Sequence, residues 1–130
     1  QGNGSRRLAV FADPNCGYCK RFERDLMTLK DVTIYTFLIP ILGPDSNARS
    51  RDIWCSKDAQ RAWRAWMVDG LAPTKAPTGC DAAALDRNLA FSQAHRINGT
   101  PALFFEDGTR RPGALSADAV DKLLANAARK

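Results

Sequence analysis

Two cysteines, Cys16 and Cys19, lie two residues apart where the hydrophobic pattern changes period. Before them, Leu8-Ala9-Val10-Phe11-Ala12 is a short apolar run bounded by basic residues and by Asp13-Pro14, which reads as a buried strand. After them, Cys19, Phe22, Leu26 and Leu29 recur at helical spacing, while Lys20, Arg21, Glu23, Arg24 and Asp25 fill the other face. The spacing predicts a helix from about Cys16 to Leu29, with Asp13 or Asn15 as its cap. The first N–H groups of a helix have no backbone partner, and they favour negative charge on a sulfur placed there. A Cys-x-x-Cys at such a junction reads as a redox dithiol, with Cys16 the exposed thiol and Cys19 the inner one.

The chain then alternates. Val32 to Ile39 is β-branched and aromatic and reads as a second strand, stopped by Pro40. Strand, helix and strand make a βαβ unit, expected to be parallel with a right-handed crossover. Three helical patterns follow. One is capped by Ser46 and covers about Asn47 to Cys55. The next runs from Lys57 to Val68 with Ala59, Ala62, Trp63, Trp66 and Met67 on one stripe, and ends at Asp69-Gly70. Paired tryptophans on such a stripe can stack a ligand, but the expected place for both is the core. The third covers Ala82 to His95.

Beyond them, Ala102 to Phe105 and Thr109 to Pro112 flank Asp107-Gly108, a hairpin signal whose second arm suits a sheet edge. A last helix, capped by Ser116, spans Ala117 to Ala128. The expected fold is α/β, β-α-β … β-β-α, with a helical insertion at about 45–96 between the halves. Residues 1–6 read as a linker remnant and 7–130 as one domain.

The size of the chain, 130 residues, suits one domain with a core. Its first residue is Gln1 rather than Met, which reads as a processed chain or an excised domain. No apolar run approaches the roughly 20 residues of a membrane span, so membrane insertion is not expected. The formal charge is +5, but Lys and Arg are scattered without interleaved aromatic residues, so no nucleic-acid partner is expected.

Four cysteines, one close pair and one distant pair, fit an oxidising compartment with one redox pair and one structural bridge. A bridge between Cys55 and Cys80 would close the helical block and contribute about 3 kcal/mol through loop-closure entropy. Two other readings of the CxxC remain at this point: a plain disulfide, and half of a zinc site completed by Cys55, Cys80 or His95. Those three do not repeat the CxxC spacing, and neither a metal nor another cofactor is expected. Thr100-Pro101 opens the third strand. If that bond is cis, the Thr100 backbone can pair with an extended substrate segment.

The motifs in combination resemble the thioredoxin superfamily, and within it the catalytic domain of the periplasmic thiol:disulfide isomerases of the DsbC/DsbG type. The residues that carry the resemblance are Phe11-x-Asp13-x-x-Cys16-Gly17-Tyr18-Cys19, Ile53-Trp54-Cys55-x-Lys57-Asp58, Cys80-Asp81 and Gly99-Thr100-Pro101-Ala102, followed by Asp107-Gly108-Thr109. Gly17-Tyr18 between the cysteines is similar to the DsbC branch.

The resemblance implies that Cys16 attacks, Cys19 resolves, and Gly17, Tyr18, Thr100 and Pro101 meet the substrate. It also implies a structural Cys55–Cys80 disulfide. The implied activity is isomerisation or reduction of non-native disulfides in misfolded secreted proteins in the periplasm, with an inner-membrane thiol reductant as recycling partner. A monomeric disulfide oxidase and a peptide-holding chaperone module are the alternatives. The family forms V-shaped homodimers through an N-terminal domain, so a homodimer is expected only where such a domain precedes this chain.

Overall fold

The computed structural model describes residues 4–128. Its elements are β1 (Arg6–Ala12), α1 (Gly17–Leu26), β2 (Val32–Leu38), α2 (Pro44–Trp54), α3 (Ala59–Asp69), α4 (Ala83–Ala94), β3 (Ala102–Phe105), β4 (Arg110–Pro112) and α5 (Ala117–Ala128). The four strands form one sheet in the order β2-β1-β3-β4. β1 runs parallel to β2, from Arg6 beside Val32 to Ala12 beside Leu38. It runs antiparallel to β3, with Phe11 beside Ala102. The start of β3 therefore lies beside the end of β1, where the CxxC begins.

Alternation along β1 divides the core. Leu8, Val10 and Ala12 join Phe22 and Leu26 of α1, Trp63 and Met67 of α3, and Val120 and Leu124 of α5 in the larger cluster. Burying a side chain such as Phe22 contributes roughly 2–3 kcal/mol. Phe11 falls in a second cluster with Ile39, Ile97 and Ala102. There it stacks with Phe37 at 5.0 Å and with Phe91 at 5.3 Å, and meets Phe104 edge-on at 5.6 Å. β1 is thus buried on both faces and fixed at both edges, a firm base for the loop that follows it.

Several boundaries differ from the sequence expectation, each for a local reason. β1 starts at Arg6, two residues before the apolar run that marks it in the sequence; residues 1–3 of the expected linker lie outside the described residues. Ser5 is also tied down. Its backbone N–H and hydroxyl donate to the Asp31 carboxylate, and the first of these does most to hold that carboxyl below its ordinary range.

α1 ends at Leu26 rather than Leu29, because Met27 and Thr28 bond back three residues to Arg24 and Asp25, tightening the last turn. Glu23, expected on the solvent face, is 2% exposed. β2 stops one residue short of Ile39.

α2 starts at Pro44, earlier than the Asn47 implied by a Ser46 cap. Proline suits the first helical position, and Gly43 supplies the entry at φ 109°, where a side chain would be strained. α3 starts at Ala59, capped by Asp58, whose side chain accepts the Arg61 N–H at 3.1 Å. It ends as expected at a left-handed Gly70. α4 spans one residue less at each end than expected. β3 and α5 match their expected spans, and Ser116 caps α5 by accepting the Ala119 N–H at 3.2 Å. β4 begins at Arg110 and forms the outer edge. The Cys55–Cys80 disulfide joins the end of α2 to the segment before α4.

Candidate active site

The loop from β1 to α1 is fixed by a buried carboxylate. Asp13 is 0% exposed and accepts four hydrogen bonds: from Asn15 N–H at 2.8 Å, Ile41 N–H at 2.8 Å, Leu42 N–H at 2.9 Å and the Ser46 hydroxyl at 2.7 Å. A buried carboxylate is tolerated when its lone pairs are filled in this way. The Asn15 side-chain amide donates to Asp45 at 2.8 Å and to Ser46 at 3.1 Å. Asp13 and Asn15 were the expected caps of α1. Neither caps it. They clamp the loop before Cys16 to the loop after β2 and to the start of α2.

The cap is Cys16 itself. Its backbone is extended (φ −82°, ψ 118°), and its sulfur accepts the Cys19 N–H at 3.1 Å. A sulfur in that position has a backbone donor aimed at it and no acidic residue in the first helical turn against it. On its other side the Cys16 thiol donates to the Thr100 carbonyl at 3.4 Å, bringing together residues 84 positions apart. The Thr100–Pro101 bond is cis. The Gly113 N–H, just after β4, donates to the Pro101 carbonyl at 2.8 Å and ties this loop to the sheet edge.

Cys16 and Cys19 are free thiols. Cys16, expected to be the exposed thiol, is buried at 6% exposure because its sulfur sits between the Cys19 N–H and the Thr100 carbonyl, and Cys19 is 2% exposed. Burial pushes the Cys19 thiol well above its ordinary value, and its hydrogen bond with the Cys16 side chain pushes the same way. Between them, Gly17 and Tyr18 face solvent, Tyr18 being 63% exposed with Arg21 over its ring at 5.5 Å. A Cβ at Gly17 would meet nothing within 4 Å, so the approach beside Cys16 is open. The structure thus gathers Cys16, Gly17, Tyr18, Cys19, Thr100 and Pro101 at one end of the sheet. Cys55 and Cys80 are joined to each other, apart from that group.

The tryptophan stripe of α3 is split. Trp63 is core, as expected. Trp66 is not fully buried, and its indole N–H donates to the Pro14 carbonyl at 2.6 Å, two residues before Cys16. The Lys20 ammonium stands 4.6 Å and the Arg49 guanidinium 3.9 Å from the Trp66 ring centre. Trp66 and Ser46 are the site residues the sequence reading missed. Helical spacing put Trp66 with Trp63, and Ser46 read as a cap; no local signal ties either to the CxxC loop.

The fold and this dithiol define a class. The chain belongs to the thioredoxin-like domain family, which matches residues 1–128. Within it, the chain is 48% identical over 124 residues, 95% of its own length, to the Bordetella pertussis protein named "Probable thiol:disulfide interchange protein DsbC". It is 31% identical over 110 residues, 82% of its length, to the Escherichia coli "Thiol:disulfide interchange protein DsbC". It spans less than half of those relatives, 43% and 45% of their lengths. Among solved structures it is similar to a disulfide interchange protein from Neisseria gonorrhoeae, with a TM-score of 0.84 and 34% identity over 97% of this chain and 90% of that one.

Proposed function

We propose that this domain carries out thiol–disulfide interchange on non-native disulfides of misfolded secreted proteins, chiefly as an isomerase and reductase in the periplasm. The position of the Cys16 sulfur carries this reading: it lies between the Cys19 N–H at 3.1 Å and the Thr100 carbonyl at 3.4 Å, at the mouth of a helix. Cys16 attacks a substrate disulfide, and the backbone donor stabilises the charge on its sulfur. The substrate strand lies along Thr100-Pro101, beside Gly17 and Tyr18. Cys19, kept as a thiol by burial, then displaces the substrate from Cys16. The resulting Cys16–Cys19 disulfide is returned to the dithiol by an inner-membrane thiol reductant. A homodimer forms where an N-terminal dimerisation domain is part of the full-length protein. The relatives named as thiol:disulfide interchange proteins support the chemistry.

Refolding of a disulfide-scrambled substrate tests it. The reduced domain is expected to accelerate recovery of native activity, and Cys16→Ala to return the rate to that of buffer. Unchanged recovery with Cys16→Ala, together with suppressed aggregation, would favour a peptide-holding role. The measured reduction potential separates an isomerase from a disulfide oxidase.

A further inference from the structure

Three cations stand around the CxxC on aromatic supports. Lys20 follows Cys19 directly, and its backbone N–H bonds to the Cys16 carbonyl at 3.1 Å. Its ammonium and the Arg49 guanidinium both lie over Trp66, which is pinned to Pro14. Arg21 lies over Tyr18, inside the CxxC itself. A cation held on a ring keeps its full charge while losing freedom to swing away.

The acids nearby are differently disposed. Asp13 is buried beneath four donors, and Glu23 is buried in α1. Asp45 is the acid at the rim, 3.6 Å from Arg49 and bonded to Asn15. At the rim itself Lys20, Arg21 and Arg49 outnumber Asp45, with the Asp13 and Glu23 carboxyl groups lying beneath the surface, so a peptide approaching Cys16 meets cations first. Such a surface raises the local concentration of negatively charged partners and lowers that of positive ones.

We propose that the rim formed by Lys20, Arg21 and Arg49 on Trp66 and Tyr18 selects substrate polypeptides whose disulfide-bonded cysteine is flanked by acidic residues. The proposal rests on Cys16 as the attacking thiol. In the step it governs, the Cys16 sulfur attacks one sulfur of the substrate disulfide. The Cys16–substrate bond forms, the substrate S–S bond breaks, and one substrate chain leaves as a thiol carrying the proton that Cys16 gives up. Cys19 then attacks the Cys16 sulfur, its proton passing to the second departing chain. Two electrons move from the protein dithiol to the substrate, which ends as two thiols.

The test uses the reduced domain in single turnover with three cysteine peptides, each a symmetric disulfide dimer. Glutamate, glutamine or lysine flanks the cysteine. Each rate is divided by the rate of the same peptide with dithiothreitol, which removes intrinsic reactivity. The corrected rate is expected to fall from glutamate to glutamine to lysine, spanning about tenfold at low salt, the lower end of the range for electrostatic steering. At about 1 M salt, where charges are screened beyond roughly 3 Å, the span collapses. Lys20→Gln combined with Arg21→Gln and Arg49→Gln is expected to cut the low-salt span at least about threefold. Lys122→Gln is the distant control: Lys122 adjoins Asp121, which pairs with Arg6 at the opposite end of β1, and this variant leaves the span unchanged.

Equal corrected rates for the three peptides, or a span unaffected by the triple substitution, overturns the proposal while leaving the exchange chemistry standing. No exchange with any peptide overturns the proposed function itself.

Discussion

The Asp13 carboxylate accepts the Ser46 hydroxyl at 2.7 Å, joining the end of β1 to α2 across 33 positions of sequence. This contact, with the Ile41 and Leu42 N–H groups on the other carboxylate oxygen, fixes the loop that presents Cys16. Asp13→Ala leaves the Asn15 and Leu42 N–H groups and the Ser46 hydroxyl without this acceptor, while the Ile41 N–H keeps the Ile39 carbonyl at 3.0 Å. Each bond to a charged group is worth about 1.5–3 kcal/mol, part of which water recovers in the opened site. Thermal unfolding of the variant is expected to show a loss of about 3 kcal/mol. Ser46→Ala, which removes one of the four donors, is expected to lose about 1 kcal/mol.

Gly17 is the first residue of α1 and has open space at its Cβ. Cys16 before it has ψ 118°, a conformation that a following proline accepts. Gly17→Pro therefore fits the native backbone and restricts the unfolded chain. Denaturant unfolding is expected to show a gain of about 0.4–1 kcal/mol. A loss would mean that the Gly17 N–H or its backbone freedom serves the native loop.

Cys19 gives the reduced protein a pH dependence of known sign. Its thiol sits well above the ordinary 9.0 because it is buried. Below that value both states hold the proton, and the contribution of Cys19 does not change. Above it the unfolded chain releases the proton while the folded chain keeps it, so stability falls as pH rises. The difference in unfolding free energy between the wild type and Cys19→Ala is expected to be flat below pH 9 and then to decline. The limiting slope is about 1.4 kcal/mol per pH unit. A flat difference up to pH 11 would contradict a buried thiol.

The Cys55–Cys80 disulfide closes a loop of 25 positions between α2 and the start of α4. Replacing both cysteines by alanine is expected to cost about 3 kcal/mol of stability by loop-closure entropy. The double variant should still react at Cys16, because the bridge touches neither Asp13 nor Thr100. Loss of exchange in a variant that remains folded would tie the bridge to the chemistry.

The element order was legible because period-2 and period-3.6 patterns separate cleanly in this chain, and because proline and glycine mark the ends at Pro40, Gly43 and Gly70. Cys16, Cys19, Thr100 and Pro101 were legible as motif residues. What joins them was not. Ser46 and Asp13 read as helix caps in the sequence, and only the tertiary fold turns them toward each other. Glu23 followed the polar stripe of α1 in sequence but is buried in the structure. Trp63 and Trp66 share one helical stripe, yet the helix carries the second to the rim of the site, where its N–H reaches Pro14. Contacts of this kind depend on how helices sit on the sheet, which no local pattern encodes.

The most direct measurement is mass spectrometry of adducts formed when each single-cysteine variant meets a disulfide peptide. Cys19→Ala is expected to accumulate a stable mixed disulfide on Cys16, because the capped sulfur attacks and nothing displaces the peptide. Cys16→Ala is expected to form no adduct on the buried Cys19 over the same time. Comparable adduct on Cys19 in the second variant would contradict the assignment of Cys16 as the attacking thiol.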